Sequence, residues 1–362
     1  MPLLKAITQS PIPKDWDLTP EWMTAIFSRQ YPGAKVSSVR LLDGSDGTSS
    51  RARFEIKYAE GDGPETVFAK TKGSWLRRIF QLMTDNAFIE GQLFLNDPKL
   101  SLEHPRVYYS AVDRLRLNDL IVMEDMSKKQ AIMNDATRPL SVDNVASGLS
   151  ELAKLHSQFW NFTTSKQPEL NWVQPWRASK TFQWLLQYGC KRGGARLEHC
   201  LPKPIVAAGP QSMVHHWTQY LNTVNKGPHT LLHGDAHVGN TYLLPDGTLG
   251  FLDWAVVRRG HWSFDVGYFI ISCLNEEDRR LHSPGLVEVY RQALQIPEHE
   301  RPSREEAWLR FRASPAYGLA IWVTTGAEDN YQSPAICASL AGRFGAAFVE
   351  LETPLAIERL SK

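Results

Sequence analysis

Part-way along this chain the apolar residues change their spacing, and that change sets what the chain can fold into. Up to about residue 125 they alternate with polar ones, the period of half-buried strands, over 36–42, 52–58 and 66–71. Shorter apolar runs at 107–111 and 120–123 would complete an antiparallel sheet of about five strands. Ahead of the sheet, Thr19-Pro20-Glu21 reads as a helix start, with Thr19 as the N-cap, Pro20 at the first helical position, and Trp22, Ile26 and Phe27 on one face. One helix, at 85–96, is expected after the third strand. From residue 140 onward the spacing is helical, over 142–159 and again over 277–360, while 161–210 is broken by Pro and Gly and rich in Trp. Between these, 241–244 and 248–252 flank a Pro245-Asp246-Gly247 turn, a hairpin signal. Strands first and helices afterwards specify an α+β fold with a first lobe over 1–126 and a second over 127–362.

At 362 residues the chain is too long for one core and suits two lobes. Its net charge of +1 supplies no global attraction to nucleic acid or to a membrane surface, and neither is expected as a partner. Cys190, Cys200, Cys273 and Cys337 lack C-x-x-C spacing and read as reduced thiols. The first residues lack the apolar run of a signal peptide, and no stretch approaches a membrane span. A soluble, cytoplasmic protein is the expectation.

Chemistry concentrates in His233-Gly234-Asp235-Ala236-His237-Val238-Gly239-Asn240, followed by the hairpin and Phe251-Leu252-Asp253-Trp254. Phosphoryl transfer needs a carboxylate to orient the attacking hydroxyl and oxygen ligands to hold magnesium against phosphates. Asp235 and Asn240 on one loop, with Asp253 after a tight hairpin, form such a set. Any one of them alone would be an ordinary turn residue. The set is specific because of its joint spacing. His233 and His237 have the spacing of a zinc pair, but the Glu of H-E-x-x-H is absent and no third ligand is apparent.

Asp-x4-Asn, hairpin, Asp is the order of the protein-kinase catalytic loop and its downstream metal ligand. With His-Gly-Asp in place of His-Arg-Asp, the segment resembles the aminoglycoside phosphotransferase and choline kinase superfamily. The run Leu152-Ala153-Lys154-Leu155-His156-Ser157-Gln158-Phe159-Trp160 is most similar to its ecdysteroid-kinase-like and related uncharacterised branches. The resemblance implies a protein-kinase-like bilobal fold, with a small N-terminal antiparallel sheet carrying one helix and a larger, mainly helical C-terminal lobe. It implies ATP and Mg2+ as cofactors, Asp235 as catalytic base, Asn240 and Asp253 as magnesium ligands, and Asp265 as a brace behind the loop. Trp254-Ala255 after Asp253 departs from the Phe-Gly of protein kinases, as is usual in the small-molecule branch.

On the nucleotide side, the resemblance assigns the phosphate lysine to the third strand. Lys70 is favoured, with Glu90 on the following helix as its partner, and Lys72 competes from the strand end. Gly47, Thr48, Ser49 and Ser50, between the first two strands, could offer donors to phosphates, although a plain hairpin loop reads nearly as well. The run 120–126 resembles the hinge, where the Glu124 carbonyl and the Met126 N–H would meet adenine. The acceptor is expected to be a small-molecule hydroxyl. An insert at about 161–230 holds Lys166, Arg177, Lys180, Lys191, Arg192, Arg196, Lys203 and Lys226 against only Glu169 and Glu198, and so favours a neutral, anionic or partly apolar alcohol over a polycationic amino sugar. Trp172, Trp176, Trp184 and Trp217 in the insert read mostly as core anchors. An antibiotic or xenobiotic resistance kinase and a catalytically inactive nucleotide-binding scaffold are the alternatives.

Overall fold

The computed structural model describes residues 11–14, 16–46, 49–83, 86–330 and 332–362. They divide into two units. The first comprises the described residues up to Lys99, with His104–Ala131 and Trp254–Val256; the second comprises Leu100–Glu103, Ile132–Asp253 and Val257–Lys362.

In the first unit, helix α1 (Pro20–Phe27) starts where the sequence expects it, with Thr19 Oγ1 accepting the Trp22 N–H at 3.2 Å. Its buried face is Met23, Ile26 and Phe27; Trp22 lies at the margin and meets Tyr109 edge-on. It covers an antiparallel five-stranded sheet: β1 (Lys35–Asp46), β2 (Ser49–Glu60), β3 (Thr66–Lys72), β4 (Val107–Asp113) and β5 (Asn118–Glu124), in the order β1-β2-β3-β5-β4. Phe54, Ile56, Val67, Ala69, Leu120 and Val122 alternate onto the face packed against α1. β3 is central and carries Lys70 and Lys72 on its other face, both buried.

Two differences from the sequence reading bear on function. The first hairpin is longer than expected, since β1 pairs with β2 as far as Asp46 opposite Ser50. A bulge follows Leu41, and Asp43 fixes Arg53 across the strands. Two helices rather than one follow β3: α2 (Trp75–Met83) and α3 (Ile89–Leu95). The strongly amphipathic run of α2 is short enough to hide between a Gly-Ser start and the next loop.

The second unit is mainly helical. Strand β6 (Ile132–Met133) precedes α4 (Val142–Gln158), α5 (Lys180–Arg196) and α6 (Lys203–Val224), the last kinked at Gly209 where φ is +75°. Strand β7 (Thr230–Leu232) pairs with β10 (Arg258–Gly260), and β8 (Thr241–Leu243) lies between β6 and β9 (Leu249–Phe251). Helices α7 (Ser263–Cys273), α8 (Glu276–Ala293), α9 (Arg304–Ala313), α10 (Pro315–Thr325), α11 (Pro334–Glu350) and α12 (Thr353–Ser361) complete it. α5 runs unbroken through a stretch whose glycines suggested interruption. Gly189 and Gly193 face α10 so closely that a Cβ at either would strike Thr324 or the Val323 carbonyl, and close packing outweighs their weak helix propensity. Every residue of α7 is buried. Among the described residues, no single helix is long and apolar enough to cross a membrane.

Candidate active site

The loop between β7 and β8 is shaped by its own backbone. Gly234 takes φ +82°, which lacks steric cost only for glycine. The N–H groups of His233 and Gly234 then both reach the Asp265 carboxylate, at 2.7 Å to Oδ2 and 3.0 Å to Oδ1. Asp265, fully buried in the first turn of α7, also accepts from His156 Nε2 at 3.2 Å. The other ring nitrogen of His156 accepts the Tyr290 hydroxyl at 2.8 Å, which fixes the tautomer. Side chains from α4, α7 and α8 thus brace the loop from behind. The role expected of Asp265 is the one it has; the histidine of the Leu152–Trp160 run, which sequence reasoning used only as a family marker, supports it.

The front of the loop is equally constrained. His233 donates through Nε2 to the Leu252 carbonyl (2.9 Å) and accepts the Asp235 N–H at Nδ1 (3.3 Å), so both ring nitrogens are committed to backbone. Asn240 donates its amide to the Asp235 carbonyl and to Asp235 Oδ2, each at 3.0 Å, while its own backbone carbonyl accepts the Leu252 N–H at 2.8 Å. The hairpin therefore returns Asp253 to Asp235 and Asn240. Asp253 holds φ +61°, an uncommon conformation for a residue with a side chain, of the kind that collects at functional sites.

Burial, and after it the charge of Asp253, pushes the Asp235 carboxyl up to about 8, against the Asn240 hydrogen bond that favours the ionised form. The side chain is still 30% exposed, and solvent moderates that rise. A cation would relieve the repulsion between the two carboxylates. The donors fit magnesium. Because the Asn240 amide nitrogen is held by Asp235, its carbonyl oxygen is the end left for an ion, and Asp253 adds a carboxylate. Among the described residues, no group of three or more His, Cys, Asp and Glu side chains forms an all-protein cage. Two hard oxygen ligands suit an ion that completes its shell with water and phosphate. His237 lies beside this set. Burial pushes it down to about 4, its Nδ1 accepts the Gly239 N–H at 3.1 Å, and its Nε2 faces Asp235 Oδ2 from 3.9 Å, beyond hydrogen-bond reach.

In the first unit, Lys70 Nζ meets Glu90 Oε2 at 2.6 Å, with both side chains buried. Glu90 Oε1 also accepts the N–H of Trp254, the residue after Asp253, at 3.2 Å. Lys72 turns instead to Asp119 on β5, at 3.4 Å. That partner was not foreseen, because it depends on strand register. Glu124 ends β5, and Met126 opens a 3-10 turn capped by the Asp125 carboxylate. The Met126 N–H is the first of that turn and has no acceptor within it. Gly47 and Thr48 lie outside the described residues, and Ser49 and Ser50 are strand residues of β2 opposite Lys72 and Thr71.

All eight basic side chains of the insert are exposed. Arg192 pairs with Glu328 at 2.9 Å and Arg196 pairs with Asp329, so two of the charges are already answered. Trp176 and Trp217 are core, Trp172 is half-buried, and Trp184 is exposed beside Tyr188.

A sequence family described as ecdysteroid kinase-like matches residues 96–299, more than half of the chain and all of the loop between β7 and β8. The chain belongs to the ecdysteroid kinase-like family. No curated protein matches it. Among solved structures it resembles one from Ralstonia eutropha JMP134, provisionally described as an aminoglycoside phosphotransferase, at 13% identity and a TM-score of 0.55, covering 92% of this chain and 98% of that one. It also resembles a spectinomycin phosphotransferase in complex with ADP and spectinomycin, at 11% identity and a TM-score of 0.50, covering 95% of this chain and 100% of that one. At such identities the likeness establishes the protein-kinase-like fold. An antiparallel sheet in the N-terminal region and helices in the C-terminal region agree with it.

Proposed function

We propose that this ecdysteroid kinase-like protein is an ATP- and Mg2+-dependent kinase that phosphorylates a hydroxyl of a small molecule. In the transfer, the acceptor oxygen forms a bond to the γ-phosphorus, the bond from that phosphorus to the ADP oxygen breaks, and the hydroxyl proton passes to Asp235. Asp235 orients the hydroxyl and takes its proton. Asn240 and Asp253 would hold magnesium, which when bound neutralises phosphate charge. Lys70, held by Glu90, takes the α/β-phosphates, and the Glu124 carbonyl and Met126 N–H take adenine. The observation that supports this reading is the hydrogen bond from the Asn240 amide to Asp235 Oδ2, which ties the proposed base to the proposed metal ligand. With Asp235, Asn240 and Asp253 all in place, an inactive scaffold has nothing specific in its favour.

For the acceptor we favour a neutral, anionic or partly apolar alcohol. The excess of bases in the insert is what supports that choice, and their exposure to solvent weakens it. Asp235→Asn should leave Mg2+-ATP affinity near wild type and lower turnover by roughly 10²–10⁴, the usual contribution of a positioned base. Asp253→Ala should weaken Mg2+-ATP binding itself. A screen of alcohol acceptors with labelled ATP, run on all three proteins, tests both. Wild-type turnover by Asp235→Asn would remove the base.

A further inference from the structure

The phenol of Tyr268, on α7, is buried, and its hydroxyl lies near the Asp235 carboxylate and the Trp322 indole without meeting either in good hydrogen-bond geometry. The indole N–H of Trp322, on α10, is buried and unpartnered as well. Both rings pack edge-on against His237, whose Nε2 faces Asp235. Native proteins seldom leave two neighbouring buried donors unused, because each is desolvated without compensation. A Phe at 268 would keep the contacts with His237, Tyr317 and Phe344 and avoid that loss. The hydroxyl is therefore held for something other than packing.

We propose that Tyr268 is a positioning residue for Asp235, its hydroxyl donating to the carboxylate in the working enzyme while Trp322 donates to the phenol oxygen behind it. The inference rests on Asp235 being the base. Asn240 holds Oδ2 of that carboxylate. A second donor to the same carboxylate fixes its plane, so that one lone pair is aimed at the acceptor hydroxyl rather than sweeping through a range of directions. Burial, and after it the Asp235 charge, holds the phenol's own proton firmly in place. It donates without giving that proton up. Tyr268 acts through Asp235 and touches no substrate.

Tyr220 supplies the control. Its hydroxyl is also buried and without a hydrogen bond of good geometry, and its ring stacks on Phe264. ADP release from Mg2+-ATP is measured with the best acceptor of the screen and with water, alongside thermal melting, for wild type, Tyr268→Phe, Tyr220→Phe and Asp235→Asn. Tyr268→Phe should lower kcat by about tenfold, the scale of one hydrogen bond, with KM for ATP unchanged and a melting temperature equal to or above wild type. Tyr220→Phe should leave kcat unchanged and melt no lower. Equal kcat for Tyr268→Phe and wild type, with Asp235→Asn impaired, overturns the role of Tyr268 and leaves the base standing. Equal kcat for all four proteins, or no turnover with any acceptor, removes the base and the inference together. A Tyr268→Phe that loses kcat only in step with a lower melting temperature makes the hydroxyl structural and also overturns the proposal.

Discussion

Lys70 and Lys72 lie two residues apart on one face of β3, and their partners separate them. Lys70 shares the Glu90 carboxylate with the Trp254 N–H, whereas Lys72 is enclosed with Asp119 at 5% exposure on each side. Removing one member of a buried pair strands the other charge, at a cost of roughly 3–5 kcal/mol. Lys72→Met should therefore lower the urea midpoint markedly while the folded fraction keeps its KM for ATP. Lys70→Met should raise that KM whatever it does to the midpoint. Lys72→Met raising KM while Lys70→Met leaves it alone would exchange the two roles. Asp265 gives a second test at this scale. Asp265→Asn keeps one acceptor oxygen and turns an NH2 toward a loop N–H that needs the other, costing about 1–3 kcal/mol. Turnover should fall more than nucleotide affinity, because the loop it braces carries Asp235. Asp235, Asn240, Asp253, Asp265 and the Lys70–Glu90 pair were legible because local spacing or strand position places them. Asp119 and Tyr268 were not, since nothing along the chain tells which residue a strand aligns opposite Lys72 or which phenol a packed helix aims at the loop.

Among elements, the sheet and the hairpin that leads to Asp253 could be read from period and turn residues, because alternation across a half-buried surface is a local signal. α5 could not, because its glycines matter only through a neighbour distant in sequence. Adjacent residues of that helix make the point testable. A Cβ at Gly193 would fall on the Val323 carbonyl oxygen of α10, so the helices must part to admit it. A Cβ at Gly194 meets nothing within 4 Å. Gly193→Ala should destabilise by about 1–3 kcal/mol as overpacking does, and Gly194→Ala should stabilise by about 0.5–1 kcal/mol because alanine is the better helix former. Denaturant midpoints measure both. A shift of the same sign in the two variants would mean that α5 and α10 are not in this close contact. The same helix α10 also carries Trp322 to the edge of His237.

At the scale of the molecule, formal charge misleads and burial informs. The insert's eight bases suggested a field against polycations, but all face solvent. Arg192 and Arg196 are paired, and exposed charges act over only ~8 Å at physiological salt. Cysteine burial is a better global probe. Cys190, Cys273 and Cys337 are buried, and Cys200 is half-buried with its thiol on the Leu197 carbonyl. Burial pushes Cys190 up to about 11 and Cys273 up to about 12, so at pH 8 only on the order of one molecule in a thousand or fewer carries either as the reactive thiolate. Thiol reagent should therefore modify Cys200 first, and reach the other three at the rate at which the second unit opens. Opening around Cys273 cannot spare the loop that carries Asp235. The neighbouring Ser272 hydroxyl accepts the Val238 N–H, and α7 carries Asp265 under His233 and Gly234. Mg2+-ATP bound to the closed loop should then slow modification of the buried thiols, by about a hundredfold at a hundred times its dissociation constant if it binds the open form not at all. Prompt reaction of three or four thiols in native buffer would contradict the burial. Slow reaction indifferent to Mg2+-ATP would mean that the loop holding Asp235 and Asn240 does not bind the nucleotide.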